Sequence, residues 1–584
     1  MVTTTTDRLI RLVRNEQTTL AGLAVLIGLA ASLGCIAFRH LIAGTQLATW
    51  GAATERLASH VAELPWWLIL LIPAGGGLVI GMIRRYLCHD GRLHAVADVV
   101  EATALRGGRI RLRDGLVAAA GSALTLGTGG SAGREGPVVH LGATMASLAA
   151  QKFGLRRSAT MTLLGCGVAA AVATSFNAPI AGVFFALEVV VGHYGLSAFA
   201  PVVLASVVGT IVTRIHYGDF PAFIVSDHAI VSFWEIPAFG ILGVVAAVAA
   251  WVLMRSIFVV QDCVERLKIP MIAAPVTGGL LVGGIALSFP QVLGVGYEGT
   301  DLALNGGLAL SFMIALAIAK IAATAFTLGC GFGGGVFSPS LFVGAMVGGA
   351  YGLIATSFMP EMASHHTVYA IVGMAAVAGA VLGAPISTIL IVFELTANFD
   401  LTIAVMIGTA LASLLVNHVG GRSFFQWVLE RRGIDLSGGH AHHLLRSQAV
   451  STIMSPAFAS LAPADTFDTI RTRLYDHPNG NFVVVDDNGI LVGVVTMEDL
   501  RSVLFGDAEE DRDLTAADLA RRTGHVLMAD DTLASALEAM EVCDDDFIPV
   551  VDGLETSKVT GILTQRSLVK AHNRALTEAA AERA

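Results

Sequence analysis

The stretch Gly133-Arg134-Glu135-Gly136-Pro137 is matched 202 residues later by Gly335-Val336-Phe337-Ser338-Pro339. In each copy a Gly-Ala pair follows five residues after the proline, at positions 142 and 344. A shared spacing of this kind over two hundred residues indicates one long internal duplication. In membrane proteins, duplicated halves with glycine-broken helices commonly meet at a substrate site.

A second shared pattern trails each copy. Asn177-Ala178-Pro179 and Gly383-Ala384-Pro385 lie 206 residues apart, and each leads an apolar run that ends at a glutamate nine residues after the proline. These glutamates are Glu188 and Glu394. The two patterns therefore belong to the same duplication.

The composition is that of a membrane protein. Of the 584 residues, 54% are hydrophobic and only 14% are charged, whereas soluble proteins carry about 25% charged residues. Leu20–Phe38 and Leu64–Ile83 contain no charge, and each is long enough to cross a bilayer, which takes roughly 20 apolar residues. Both are too long for a cleaved signal.

The charge is divided unevenly along the chain. Residues 446–584 hold 12 basic and 24 acidic residues, while residues 1–445 hold 24 basic and 22 acidic ones. The sequence thus predicts a membrane domain at 1–445, with basic clusters such as Arg106 to Arg113 in cytoplasmic loops. The histidines of the 438–443 linker and the six cysteines, which form no CxxC pair, predict neither a metal site nor a disulfide framework.

We predict that the first domain is an all-α polytopic membrane domain of two inverted repeats. Three uncharged stretches, residues 116–131, 179–187 and 386–393, are too short to span alone. Broken helices at membrane depth must line a cavity or be buried, because lipid cannot satisfy their backbone polar groups.

The tail alternates strands and helices in two similar segments. Phe482–Gly489 reads as a strand and a tight turn, Leu491–Val495 reads as a second strand, and a helix follows from Met497. The scheme repeats at Phe547–Gly553 and Val559–Thr564. The sequence predicts a soluble α+β module of two related domains, at 446–510 and 511–584.

The duplicated glycine motifs suit an anion. Glycines let the backbone approach a ligand, and a proline is compatible with the first turn of a helix. Gly133 and Gly136 in one half, and Gly335 in the other, would present free amides and positive helix ends to an anion at membrane depth. Glu135 lies inside this loop, and a carboxylate there is a candidate gate that protonation or displacement opens. The alternative is an ion pair with Arg134.

With these residues the chain resembles the CLC family of chloride channels and proton/chloride exchangers. The motifs GREGP at 133–137, FNAPIAG at 176–182 and GVFSP at 335–339 occur in that order, and the resemblance covers about residues 15–435. It implies an inverted-repeat homodimer with one pore per subunit and Glu135 as the gating glutamate. It also implies anion coordination by the loop 133–136 and by the amides of Val336 and Phe337.

The chain departs from the family at two hydroxyls. The family loop resembling GSGIP matches the stretch that starts at His94, which has neither its serine nor its proline. His94 is either a hydrogen-bond donor to the anion or an ordinary loop histidine. The family tyrosine late in the membrane domain falls on Phe425, so backbone amides would carry more of the anion binding and selectivity among small anions stays open.

A third departure concerns protons. Exchangers of the family carry a second glutamate directly after the one that ends the FNAP helix, and here Glu188 is followed by Val189. Valine cannot carry a proton. The chain therefore resembles the channel branch, or an exchanger whose protons take another route through His193 or Glu188. Glu188 equally suits a structural cap, as Glu394 does in the other half.

The tail resembles a tandem CBS-domain pair. Gly493–Asp499 fits the adenosine-nucleotide signature, in which Thr496 and Asp499 reach phosphate and ribose. The second copy keeps Thr564 but has Ser567 in place of the aspartate. A nucleotide site and a purely structural dimerising tail both fit this pattern.

Our leading hypothesis is gated, channel-like transport of chloride, with proton-coupled anion exchange as the alternative. A membrane sensor that signals without transport is a third hypothesis, which the intact Glu135 disfavours. We expect no enzymatic activity, since no P-loop or nucleophile–base motif is present, and neither a required cofactor nor a nucleic-acid partner. The expected setting is a lipid bilayer, the cell (inner) membrane, with the CBS domains in the cytoplasm.

Overall fold

The computed structural model of the chain describes most of its residues, in fourteen ranges. These are residues 16–54, 56–192, 195–219, 230–358, 363–396, 398–419, 422–434, 445–446, 448–477, 480–504, 514–522, 525–543, 545–553 and 557–581. The chain divides into two compact units, Met1–Ile434 and Asp435–Ala584. His193 and the predicted 438–443 linker lie outside the described residues, and the predicted domain boundary after residue 445 stays a prediction.

The described part of the first unit is helical, as predicted. Its helices in chain order are α1 Glu16–Trp50, α2 Leu57–Val61, α3 Trp66–Tyr86, α4 Val96–Leu105, α5 Leu112–Gly127, α6 Glu135–Lys152, α7 Arg157–Phe176, α8 Pro179–Phe185, α9 Leu196–Tyr217, α10 Ile236–Arg266, α11 Ala273–Ala286, α12 Tyr297–Leu304, α13 Leu310–Gly329, α14 Phe337–Phe358, α15 His366–Leu382, α16 Pro385–Thr396, α17 Phe399–Val419 and α18 Phe424–Arg431. A π-helical turn, Ala186–Val191, continues α8. Within the described residues, eight helices are long and apolar enough to cross a membrane.

The repeated Asn/Gly-Ala-Pro pattern is a helix junction. Asn177 ends α7 and Gly383 ends α15, both in the left-handed backbone region, with φ of 56° and 65°. The proline two residues later starts the next helix in each half, where its fixed φ is favourable. The same local chemistry therefore breaks the chain at the same place in both repeats.

Each repeat contains a helix pair in backbone contact. A Cβ placed on Gly142 of α6 would lie 2.3 Å from the carbonyl oxygen of Gly167 in α7, and one on Gly344 of α14 would lie 2.4 Å from that of Gly373 in α15. Small residues allow such close approach, which gives membrane helices their packing energy. The buried helices α7 and α15 thus form the centre of each half.

The second unit contains two equivalent sheets. Its elements are β1 Ala459–Leu461, α19 Phe467–Asp476, β2 Phe482–Val485, β3 Leu491–Val495, α20 Met497–Leu504, α21 Ala516–Leu519, β4 Leu527–Met528, α22 Leu533–Val542, β5 Phe547–Val551, β6 Val559–Thr564 and α23 Gln565–Ala581. The strand orders are β1-β2-β3 and β4-β5-β6, each with a parallel pair followed by an antiparallel one. One apolar cluster includes residues from both sheets, among them Val483, Phe547 and Val551. The predicted strands and the helix from Met497 are confirmed.

Candidate functional site

The two glycine motifs are hydrogen-bonded to each other. The amide of Gly133 donates to the carbonyl of Gly335 at 2.6 Å, and the amide of Gly335 donates back to that of Gly133 at 2.8 Å. A Cβ on Gly133 would lie 2.7 Å from Oε2 of Glu135, and one on Gly335 would lie 2.9 Å from the amide nitrogen of Gly136. Glycine is required at both positions because any side chain would push the two loops apart.

A second pair of hydrogen bonds also runs in both directions between the two repeats. The Ser131 amide donates to Oγ1 of Thr327 at 3.0 Å, and the Gly333 amide donates to Oγ1 of Thr125 at 3.1 Å. Both donor and acceptor positions are 202 residues apart in the two repeats. The loops thus meet across an approximate twofold relation, which explains why their spacing is identical.

Two helices begin at this junction. α6 starts at Glu135 and α14 starts at Phe337, and the first amides of a helix have no acceptor within it. Their free N–H groups and the positive ends of both helix dipoles therefore favour an anion. The Phe337 ring is fixed edge-on against Phe176, with centroids 5.0 Å apart.

Glu135 is buried at the centre of the junction, with 3% of its surface exposed. Its Oε1 accepts a hydrogen bond from the Ser338 hydroxyl at 2.5 Å and one from the Tyr297 hydroxyl at 3.4 Å. Its Oε2 is buried and accepts no hydrogen bond from any residue that the structure describes. Ser338 belongs to the repeated motif, but sequence reasoning gave it no role, and Tyr297 carried no signal at all.

Arg134 is directed towards other groups. Its Nη2 donates to the Ser175 carbonyl at 3.2 Å, and its guanidinium lies over the Tyr297 ring, 4.8 Å from the centroid. The arginine therefore supports the tyrosine that contacts Glu135.

Glu135 lines one cavity, and its partner Tyr297 lines another. One, of about 730 Å³, is lined by Glu135, Gly136, Val336, Phe337 and Phe425. The charged side chains in its wall are Arg84, Arg92, Asp98, Glu265, Lys268, Arg431 and Arg432. A smaller one, of about 190 Å³, is lined by Arg134 and Tyr297. The contact between Glu135 and Tyr297 thus joins the walls of the two cavities.

Phe425 is one of the residues that line the larger cavity. It is 7% exposed and sits in the first turn of α18, which Ser423 caps by accepting a hydrogen bond from the Gln426 amide. Its side chain offers an apolar surface and no hydroxyl. The structure therefore brings together Gly133, Glu135, Gly136, Val336, Phe337 and Phe425.

His94 is placed apart from these residues. It lines a third cavity, of about 600 Å³, in which its Nε2 lies 2.9 Å from Asp90 and its ring meets His140 at 5.5 Å. Burial disfavours the Asp90 carboxylate, but hydrogen bonds from His94 and Arg92 outweigh it and lower the pKa of Asp90 to about 2. Ala95 and Val96 line the cavity that holds Glu135, whereas His94 is not among its lining residues. We therefore do not include His94 in the proposed anion path.

Glu188 and Glu394 cap helices of the opposite repeat. Glu188 accepts hydrogen bonds from the amides of Ile386 and Ser387, at 3.1 and 2.9 Å. Glu394 accepts from the amides of Ile180 and Ala181, at 2.9 and 2.8 Å. A carboxylate at a helix N-terminus satisfies free amides and the dipole. The structural alternative for Glu188 accounts for its position.

The two halves of the second unit differ at the predicted nucleotide residues. Asp499 accepts hydrogen bonds from the amide and hydroxyl of Thr496, both at 2.8 Å, and forms an ion pair with Arg521 at 2.5 Å. Desolvation disfavours the Arg521 cation, but Asp499 and Asp545 outweigh it and raise the pKa of Arg521. In the other half the Thr564 hydroxyl lies 2.9 Å from the Ser567 hydroxyl and accepts a hydrogen bond from the Ser567 amide at 3.2 Å, with no carboxylate among the contacts described for its side chain. No cluster of three or more potential metal ligands occurs among the described residues.

Comparison with known proteins identifies both units. A family model described as "Voltage gated chloride channel" matches residues 76–417, and a CBS-domain model matches residues 450–506. The chain is 32% identical over 420 residues to a putative chloride channel protein ClcB-like of Ralstonia nicotianae, covering 71% of this chain and 97% of the relative. It is 28% identical over 571 residues to chloride channel protein CLC-e of Arabidopsis thaliana, covering 86% and 79%. It is also 29% identical over 425 residues to the H(+)/Cl(−) exchange transporter ClcA of Cronobacter sakazakii, covering 70% and 89%.

Solved structures share the fold. A slow cyanobacterial Cl−/H+ antiporter aligns with a TM-score of 0.62 and 24% identity over 71% of this chain and 97% of its own. A eukaryotic CLC transporter aligns with a TM-score of 0.62 and 20% identity over 94% and 97%. The predicted helical membrane fold with a C-terminal α+β module is confirmed.

Proposed function

Since the chain belongs to the CLC family, whose members transport chloride across membranes, we propose that it is a gated, channel-like chloride conductor whose gate is Glu135. The observation that carries this proposal is the position of the Glu135 carboxylate. It is buried between two helix N-termini from opposite repeats, in the wall of one cavity and in contact with Tyr297 in the wall of another. A negative side chain in an anion-attracting position competes with the anion.

The anion would bind where the carboxylate now lies. Free amides of Gly136, Val336 and Phe337 would coordinate it, as helix N-termini coordinate anions elsewhere. Phe425 would contribute an apolar wall. The Arg134 guanidinium is directed to Ser175 and Tyr297, which leaves dipoles rather than a full charge to hold the ion. Weak binding of this kind suits rapid passage.

Channel-like transport is favoured over exchange by the residues around position 189. Val189 cannot carry a proton, and the two oxygens of Glu188 already accept amides at the start of α16. Both oxygens are thus engaged in capping that helix. The gate would therefore exchange protons with one cavity and not pass them through the protein.

Proton-coupled exchange is the second candidate, and one pair of residues favours it. His140 is 1% exposed, and its Nδ1 has no hydrogen-bond partner among the described residues. It meets His94 at 5.5 Å in the third cavity and lies on α6, which begins with Glu135. Two histidines in this position could replace the acid that is missing at 189.

For the whole protein we propose a homodimer in the cell (inner) membrane, with the CBS module in the cytoplasm. The multi-pass character follows from the family and its apolar helices, while the orientation rests on the basic loops between them. We further propose that Thr496 and Asp499 bind an adenine nucleotide in the first CBS domain, with Thr564 contributing from the second.

Chloride efflux from liposomes, with external pH recorded, tests the function. We expect chloride loss that a potassium shunt sustains without proton movement. Proton uptake in fixed proportion to chloride loss would overturn channel-like transport, and His140→Gln should then uncouple the two ions. If the protein releases no chloride, with or without proton movement, both candidate functions are contradicted.

A further inference from the structure

We infer that the hydroxyls of Ser338 and Tyr297 form a latch that holds Glu135 in its closed position, and that they set how readily the gate opens. The inference rests on the proposed gate. Both hydroxyls reach the same oxygen, Oε1, from different helices, α14 and α12. The latch therefore spans elements that the duplication does not relate.

Ser338 is the stronger half of the latch. It is 2% exposed, and its 2.5 Å contact lies at the short end of the range for a hydroxyl bonded to a carboxylate, against 3.4 Å for Tyr297. The equivalent residue in the first repeat is Gly136, which has no side chain to offer. The serine hydroxyl is thus an asymmetric addition to an otherwise symmetric pair of loops.

Tyr297 is held in place from two sides. Arg134 lies over its ring, and the segment before it is anchored by Lys320. The Lys320 side chain is fully buried, and its Nζ donates to the carbonyls of Val292 and Gly294, at 2.9 and 3.1 Å. Gly296 then turns the chain with φ of 89° into α12. Lys320 is in this way a positioning residue for the tyrosine.

The latch acts on one oxygen and leaves the other available. Both hydroxyls donate hydrogen bonds to Oε1, so they stabilise the closed position of the gate. Oε2 has no donor among the described residues and is the atom at which a proton would arrive. Protonation removes the charge that makes the hydroxyl contacts strong, and the side chain can then leave the anion site. Ionisable groups near Glu135 are Arg134, Tyr297 and the charged residues of the 730 Å³ cavity wall named above.

Chloride flux against pH for Ser338→Ala and Tyr297→Phe tests the latch. We expect faster flux at neutral pH in both, and a half-maximal pH that moves upward by about one unit in Ser338→Ala. The shift should be smaller in Tyr297→Phe, because its contact is longer. Matched controls are Ser340→Ala, a buried serine of the same helix whose hydroxyl donates to the Phe337 carbonyl, and Tyr351→Phe, whose hydroxyl donates to the Ala238 carbonyl. Neither control should move the pH profile.

The same changes made in a Glu135→Gln background separate this inference from the proposed function. If Glu135→Gln alone leaves the flux unchanged, the gate assignment fails. If it raises the flux while Ser338→Ala and Tyr297→Phe behave like their controls, the gate stands and the latch is wrong. We expect the latch variants to have no further effect once Glu135 is Gln. A loss of flux by Ser338→Ala that persists in that background would assign the serine to the permeating anion and overturn the latch.

Discussion

The loops at 133–137 and 335–339 make the same backbone contact with each other and differ in their side chains. Each donates one amide to the other, each is glycine where they touch, and each starts a helix. At equivalent positions, however, the side chains differ. Glu135 of the first loop corresponds to Phe337 of the second, and Gly136 corresponds to Ser338. The symmetric backbone supplies the anion site, whereas the asymmetric side chains supply the gate and the hydroxyl that holds it.

The glutamates 188 and 394 show the opposite case. They sit at equivalent positions and accept equivalent backbone amides, each capping the first helix of the other repeat's junction, and Glu188 also accepts from the Ser387 hydroxyl. A residue whose bonds are repeated by symmetry has a structural role in both halves. A residue without an equivalent, such as Glu135, is the better candidate for a function.

The largest expected effect is that of removing the asymmetric charge. Glu135→Gln should raise chloride flux at neutral pH by about tenfold or more, because a neutral side chain competes less with the anion at two helix N-termini. Its pH dependence should largely disappear. Efflux from liposomes at several pH values measures both.

The control for this variant is Glu235→Gln, which neutralises another buried glutamate, bonded to Ser364 and Tyr369. This variant tests whether neutralising a buried glutamate elsewhere in the membrane domain also raises chloride flux. An equal rise in flux in both variants would break the assignment of the gate to Glu135.

The next effect concerns the symmetric contact itself. Gly335→Ala should abolish most chloride flux, since the added Cβ would lie 2.9 Å from the Gly136 amide nitrogen and force the loops apart, at a cost of about 2 kcal/mol in the free energy of unfolding. Gly133→Ala should behave alike. Flux and thermal unfolding in detergent provide the readouts.

Gly284→Ala in α11 is the matched control, because a Cβ there meets nothing within 4 Å. It should retain flux and stability. Normal transport by Gly335→Ala would show that the close contact between the repeats is dispensable.

A smaller effect should follow from removing either symmetric cap. Glu188→Ala and Glu394→Ala should each lower the free energy of unfolding by about 1.5 kcal/mol, because each leaves two helix amides without an acceptor. The loss should be somewhat larger for Glu188→Ala, because the Ser387 hydroxyl also loses its acceptor. Thermal unfolding of both variants, alongside proton and chloride flux, makes the comparison.

A difference in ion flux between Glu188→Ala and Glu394→Ala would show that the two caps are not equivalent in function. Loss of proton movement in Glu188→Ala alone would give Glu188 a role that Glu394 lacks. Glu188 would then be a candidate proton carrier, and proton-coupled exchange would be favoured over channel-like transport.

The smallest effect is expected in the second unit, where the two halves differ by one acid. Asp499→Ala should weaken binding of an adenine nucleotide about tenfold, since it removes a carboxylate that holds Thr496 and Arg521. Ser567→Ala, at the equivalent place, should change binding little. Calorimetry with ATP on the purified full chain measures both affinities. Equal affinities for Asp499→Ala and the unchanged protein would contradict a nucleotide site at Thr496 and Asp499.

Much of this protein is determined by its sequence alone. The duplication, the membrane class, the breaks at Asn177 and Gly383 and the strands of the tail all follow from local properties: spacing, hydrophobic length, and the backbone preferences of glycine and proline. Glu135 stands out as a candidate gate for the same reason, since a carboxylate in an apolar setting is costly wherever it folds.

The tertiary structure alone decided which groups meet. Nothing near Tyr297 in the sequence indicates that its hydroxyl reaches Glu135, 162 positions away, and nothing near Glu188 indicates that it caps Ile386. His94 likewise lies close to the expected loop in sequence, yet its side chain turns to Asp90 and a different cavity. Local patterns specify helices and turns, whereas contacts between distant residues depend on how the two repeats pack, and that is a property of the whole fold.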